Sequence, residues 1–179
     1  MNVLEYKNIG ERLFSETLGN GLRVIVCPKP GFSNSHAFFA TKYGSAMQRF
    51  EYAGNIYDTP SGVAHFLEHK MFEKEDGDVS DLFAATGAYI NAFTSYDITA
   101  YHFDCTEKFE ENLRTLLGFV GTPYFTEESV QREQGIIRQE ILMTEGYPSS
   151  VIYDNLRKCL YNSHPIRDPI IGTCESVSQ

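Results

Sequence analysis

The feature that most restricts the fold of this chain is the order of its hydrophobic periods. Period-two patterns, the mark of half-buried strands, occupy the first hundred or so residues, and helical patterns take over from Glu107 onward. The stretch "RLFSETLGNGLRVIVCPKP" reads as a hairpin, with apolar and β-branched residues on both sides of Asn20-Gly21. "SHAFFATKYGS" reads as a third strand ending at Gly44, and residues 46–60, with Gly, Asp and Pro and no clean period, read as a loop. "YINAFTSYDITAYHFDC" predicts two strands around a turn at Ser95–Asp97. Three helical segments follow: "KFEENLRTLLGFV", "TEESVQREQGIIRQEILMTEG" and "SSVIYDNLRKCLYNSH". Strands first and helices later predict an α+β fold, a mostly antiparallel mixed sheet with helices packed on one face.

Two helical segments interrupt the strand-rich half. "DVSDLFAATGA" is a short helix stopped by Gly87. The other is "SGVAHFLEHKMFEKEDGD", where Val63 to Phe72 runs without a breaker, Pro60 suits a first turn, and Thr59 or Ser61 can cap. At about 100° per residue, His65, Glu68, His69 and Phe72 share one side of that helix. Imidazoles spaced i, i+4 can grip one metal ion, and Glu68, one turn away, is placed to take a proton from water rather than to bind. The pattern H-x-x-E-H is the inverted zinc-peptidase motif. An amphipathic helix with two neighbouring histidines is the plain alternative, and a third ligand decides between them.

The segment 126–145 contains candidates for that ligand. Thr126 is a good cap, with Glu127 and Glu128 in the first turn. Projected as a helix, Val130, Glu133, Ile137, Glu140 and Thr144 fall on one face, with Ile136 and Ile141 at its borders. Gln131, Gln134, Arg138, Gln139 and Glu145 fall outside it. Glu133 and Glu140 therefore sit in an apolar stripe, where a carboxylate is costly to bury unless a cation or hydrogen-bond donor meets it. A metal with its histidines would do so, as would a buried Arg or Lys. Two neutral imidazoles and one carboxylate leave a zinc site with net charge near +1, which suits activation of water for amide hydrolysis.

Composition narrows the rest. The chain has 179 residues, 42% of them hydrophobic, enough for a real core in one domain. A net charge of −9 argues against a nucleic-acid groove. No apolar run approaches the ~20 residues of a membrane span. The four cysteines, Cys27, Cys105, Cys159 and Cys174, form no CxxC and suggest neither a zinc site nor a disulfide framework. With no visible signal peptide in "MNVLEYKNIGERLF", the expected location is the cytoplasm.

Four blocks, "HFLEHKMFE", "NAFTSYDITAY", "REQGIIRQEI" and "HPIRDPIIGT", occur in an order that resembles the pitrilysin–insulysin–mitochondrial processing peptidase family. The likeness runs from "LGNGLRVIV" to "GTCESV" and looks most like the bacterial insulinase-like members. The resemblance implies a zinc-dependent endopeptidase holding one Zn2+ through His65, His69 and Glu140. It implies Glu68 as general base and Glu133 as a supporting carboxylate that does not touch the metal. It also implies that "YINAFTS" is the edge strand to which an extended peptide adds, with Asn91, Ala92 and Phe93 along the scissile region. From the residues alone, Asn91 reads equally as a turn or edge residue and Phe93 as a core aromatic. Family members close two homologous halves around the substrate, and the second half supplies an Arg–Tyr pair. Residues 1–179 would then be an N-terminal zinc-bearing domain shortened at its C-terminal end. Its partners would be a peptide or small-protein substrate and either the C-terminal half of the same protein or a homologous subunit. The alternative is a non-catalytic, partner-dependent subunit of a peptidase heterodimer.

Overall fold

Hairpin chemistry builds the first part of the chain. Gly21 takes φ +87°, which only glycine adopts cheaply. Its amide donates to the Leu18 carbonyl at 2.9 Å, while Leu18 N–H reaches the Leu22 carbonyl at 2.8 Å. The Asn20-Gly21 turn thus joins β2 (Glu11–Thr17) to β3 (Arg23–Val26) as expected. A further strand, β1 (Asn2–Tyr6), pairs antiparallel with β2 to give the order β1-β2-β3. The computed structural model describes residues 1–179, which divide into two units, Met1–Asn34 and Ser35–Gln179.

The second unit runs β4 (Ser35–Thr41), β5 (Arg49–Tyr52), β6 (Asn55–Asp58), α1 (Val63–Phe72), β7 (Glu73–Lys74), β8 (Gly77–Asp78), α2 (Ser80–Ala85), β9 (Tyr89–Thr94), β10 (Thr99–Cys105), α3 (Phe109–Gly121), α4 (Glu127–Glu145) and α5 (Pro148–Leu160). Every strand pair is antiparallel. The expectation of a plain loop over 46–60 is corrected, because β5 and β6 form a hairpin there, with Phe50 opposite Tyr57 and their rings stacked at 5.6 Å. Its turn places Ala53 and Gly54 at φ +52° and +78°. An alanine in that conformation carries no turn signal, so the pattern is silent where the backbone is strained.

The central sheet has the order β4-β10-β9. One face of β10 presents Tyr101, Phe103 and Cys105 to a core shared with Val79, Phe83, Leu116 and Phe119. α1, α2 and α3 all pack against this sheet. Phe83 and Phe103 are completely buried, and each contributes roughly 1.5–3 kcal/mol by leaving water. The opposite face carries half-exposed Phe38 and Phe93. Helices on one face of antiparallel strands are the α+β arrangement that the order of periods predicts. A second core gathers Ile137 and Ile141 of α4, Val177 and the partly buried Phe66, Ile171 and Cys174. No helix is long and apolar enough to cross a membrane.

Two helix ends follow the local chemistry read from the sequence, and the start of α1 does not. Thr126 caps α4 and forms a reciprocal capping box with Ser129, and Gly87 at φ +73° follows the end of α2. For α1, neither Thr59 nor Ser61 caps. The N-cap is Gly62, with φ +93°, and no side chain bonds there. Thr59 instead reaches away, its Oγ1 donating to the Gln48 carbonyl at 3.2 Å.

Candidate metal centre

α1 begins where two glycines meet. A Cβ on Gly62 would lie 2.7 Å from the Ile171 carbonyl oxygen, and one on Gly172 would lie 2.7 Å from the Ser61 carbonyl oxygen. Two backbones touching through glycine seat the 169–174 segment on the helix start. That contact, rather than a side-chain cap, sets where the first turn of α1 lies.

One and two turns along, His65 and His69 project toward α4. His65 Nε2 lies 3.9 Å from Glu140 Oε1, and His69 Nε2 lies 3.7 Å from Glu140 Oε2. Both separations are too long for hydrogen bonds. They are close to the ~3.4 Å edge expected of a tetrahedron with bonds near 2.1 Å. The imidazole rings are 4.6 Å apart between centroids, and one ligand atom of each of the three residues lies within 4.8 Å of the others. Three Lewis-basic atoms at this spacing form a set able to hold a metal ion.

The electrostatics suit that role. Burial, reinforced by repulsion from His69, pushes the His65 pKa down to about 4, so its ring is neutral at pH 7. Its Nδ1 is buried without a hydrogen-bond partner. His69 differs: its Nδ1 lies 2.8 Å from Glu133 Oε1, and that bond holds its pKa above the ordinary imidazole value against burial. With Nδ1 carrying the proton toward Glu133, Nε2 is the nitrogen turned toward Glu140. A carboxylate on the far nitrogen of a ligand histidine is the usual means of fixing its tautomer and ring plane. The two stripe glutamates of α4 are thus both engaged at α1, Glu140 facing both imidazoles and Glu133 behind one of them.

Glu68 lies beside this set. Its Oε2 accepts a 2.6 Å hydrogen bond from Thr94 Oγ1 on β9. Burial raises its pKa, and the Thr94 bond opposes that rise. His65, Glu68 and Glu140 line one wall of a cavity of ≈ 790 Å³, with Tyr96, Tyr153 and Ile171 among the residues around it.

β9 is an edge strand of its sheet. Its alternation divides the three strand residues singled out in the sequence. Ala92 shares the inner face with Thr94 and lines the cavity. Asn91 and Phe93 project from the outer face, and Phe93 also borders the cavity. Asn91 Oδ1 accepts from the Ala92 amide at 2.8 Å, and the Phe93 ring lies 5.8 Å from Phe38. Asn91 also reaches the rim of a smaller recess of ≈ 390 Å³ with Glu68, His69 and Glu133. Phe93 is 40% exposed, so the core-aromatic reading fails for it. On α4, Ile136 is 49% exposed and Gln134 half-buried, so the buried stripe is rotated slightly from its projected centre.

Sequence reasoning missed Lys70. Its side chain is entirely buried, with Nζ donating to Glu73 Oε2 at 2.6 Å and to Ser129 Oγ at 2.9 Å. Glu73 also pairs with Arg132. This cluster ties the end of α1 to the start of α4, one turn before Glu133. The signal was available, because the same projection that exposes Glu133 places Lys70 between the apolar Phe66 and Leu67.

Comparison with known proteins agrees with the geometry. An M16-like peptidase from Alicyclobacillus acidocaldarius superposes with a TM-score of 0.91 and 42% identity, over 98% of this chain and 41% of that one. A protease from Helicobacter pylori gives 0.82 and 26%, over 94% and 40%. Pitrilysin, at 18% identity and 0.75, shares the fold. Among curated relatives, the uncharacterized zinc protease YmfH of Bacillus subtilis is 49% identical over 177 residues, which span 98% of this chain and 41% of the relative. YmxG of the same organism, also an uncharacterized zinc protease, is 27% identical over 90% of this chain and 39% of the relative. The chain therefore spans about two-fifths of the length of these relatives. The model of the insulinase family, peptidase family M16, matches residues 51–174, and to that family the chain belongs.

Proposed function

We propose that the chain carries the catalytic metal site of a zinc-dependent endopeptidase, with one Zn2+ held by His65, His69 and Glu140. The observation that carries this reading is the convergence of His65 Nε2, His69 Nε2 and Glu140 at 3.7–3.9 Å, with none of them hydrogen-bonded to another. The Glu133 bond to the far nitrogen of His69 fits a zinc ligand set, and burial keeps the His65 ring neutral, as a ligand imidazole must be. When bound, zinc supplies Lewis acidity that makes water a competent nucleophile near neutral pH and polarises a carbonyl.

The chain's own groups do the rest. Glu68, held by Thr94 Oγ1, accepts a proton from the attacking water and passes it to the leaving amine. Its raised pKa brings it nearer the operating pH than an exposed glutamate. Glu133 keeps His69 in one tautomer and supports the site without binding the ion. β9 offers an extended peptide its open edge, with Ala92 and Phe93 both bordering the cavity and Asn91 on the outer face. Residues 1–179 act as the N-terminal, zinc-bearing portion, completed by a C-terminal half of the same protein or by a homologous subunit. The substrate class is peptides or small proteins. Four free thiols fit a reducing compartment, the cytoplasm.

The test is metal content and turnover. Glu140→Gln lowers zinc stoichiometry sharply and Glu145→Gln does not. Equal zinc in the two removes Glu140 as a ligand. Glu68→Gln in the full-length protein retains zinc and loses about 10²–10⁴-fold in peptidase rate, and wild-type turnover there refutes the base assignment.

A further inference from the structure

A second group of ligand-type side chains converges on the face of the sheet turned away from the helical core. His36 of β4 stands directly opposite Asp104 of β10. His102, two residues before Asp104, lies on the same face. His36 Nδ1 is 3.0 Å from Asp104 Oδ1, and the His36 and His102 rings are 5.2 Å apart between centroids. One ligand atom of each of the three lies within 4.8 Å of the others. The His102 ring stacks on Phe38 at 6.2 Å, and its Nδ1 is buried with no hydrogen-bond partner.

A cross-strand His–Asp pair beside an aromatic stack accounts for His36 and Asp104. It leaves the buried His102 nitrogen unsatisfied, and buried polar atoms are nearly always paired. A cation bound at that nitrogen satisfies it, and ligand atoms of His36 and Asp104 lie within 4.8 Å of a His102 ring nitrogen.

We propose that His36, His102 and Asp104 form a second metal site, distinct from the His65/His69/Glu140 centre and separated from it by the sheet. Two imidazoles and one carboxylate suit a borderline transition ion such as Zn2+, Ni2+ or Co2+, and not Mg2+ or Ca2+, which take oxygen ligands. His36 is half-exposed, so water completes the coordination and the ion exchanges with solvent. Ligands from both strands make the ion a clamp between β4 and β10.

The experiment is zinc binding to the tag-free chain by calorimetry and metal analysis, repeated with Co2+ to read its visible bands. The wild type binds two ions. His36→Ala and His102→Ala each bind one tightly, with affinity at the altered site lower by about 10–100-fold or more, since loss of even an outer-shell partner costs that much. The double variant His65→Ala/His69→Ala keeps one ion, and zinc raises its melting temperature until His36→Ala is added. His164→Ala, at the remaining histidine of the chain, still binds two. Because His36 is half-exposed, its replacement leaves the core intact, which circular dichroism verifies. If folded His36→Ala matches the wild type in stoichiometry and affinity, the second site does not exist. If instead the His65/His69/Glu140 reading fails, the wild type binds one ion and His36→Ala none, so the two failures are distinguishable.

Discussion

Lys70 is the most informative single position in the α1–α4 junction. Its ammonium is fully buried, and it bonds Glu73 and Ser129. Losing one partner of a fully buried ion pair costs about 3–5 kcal/mol, because the other charge is stranded. Here neither partner is stranded. Glu73 is partly exposed and retains Arg132, and Ser129 Oγ still donates to the Thr126 carbonyl at 3.0 Å. Lys70→Met, which keeps most of the buried stem, is therefore expected to cost only about 1–2 kcal/mol, the scale of one charged hydrogen bond. Lys70→Ala also removes three buried methylenes, at about 0.8 kcal/mol each, and leaves a cavity. Its total comes to about 3–5 kcal/mol. Urea unfolding of the metal-free chain, with m-values compared to establish two-state behaviour, reads both numbers. Equal losses in the two variants would refute the reasoning, since they would assign the whole effect to charge and none to the stem. So would a Met variant less stable than the Ala variant.

Three further outcomes follow from the same geometry. Glu133→Gln retains the His69 contact without its charge, and zinc affinity measured by competition with a chelator drops about 10–100-fold; unchanged affinity shows that Glu133 only fills space. Gly172→Ala, at φ +83° with a Cβ 2.7 Å from the Ser61 carbonyl oxygen, costs at least ~1–2 kcal/mol from left-handed backbone alone, and a melting temperature equal to the wild type's refutes the glycine contact. If a second half closes the site as proposed, the zinc-loaded 179-residue chain cleaves a quenched peptide at least about 10²-fold more slowly than the full-length protein, whose site excludes water; equal rates would mean that the site is complete within these residues.

The sequence by itself determined what local period and local chemistry can encode. The Asn20-Gly21 hairpin, the unbroken α1, the Thr126 cap and the alternating β9 and β10 each follow from residues a few positions apart. His65, Glu68 and His69 could be grouped because a helix brings i, i+3 and i+4 together whatever surrounds it. Glu133 and Glu140 betrayed themselves as acids in an apolar stripe. Tertiary structure decided which of these faces meet. Only packing shows that Glu140 faces both imidazoles while Glu133 backs His69, since residues 64 to 75 positions apart in sequence have no local period to relate them. The same holds for Lys70 under the α4 cap, for the Gly62–Gly172 contact that replaces the expected Thr59 or Ser61 cap, and for His36 beside Asp104. The β5–β6 hairpin was hidden for a different reason. Its turn needs Ala53 in a conformation alanine disfavours, so the surrounding structure sets it against local propensity. Patterns record what a segment prefers, and the site lies where segments that each satisfy their own preference are brought into contact by burial of a common core.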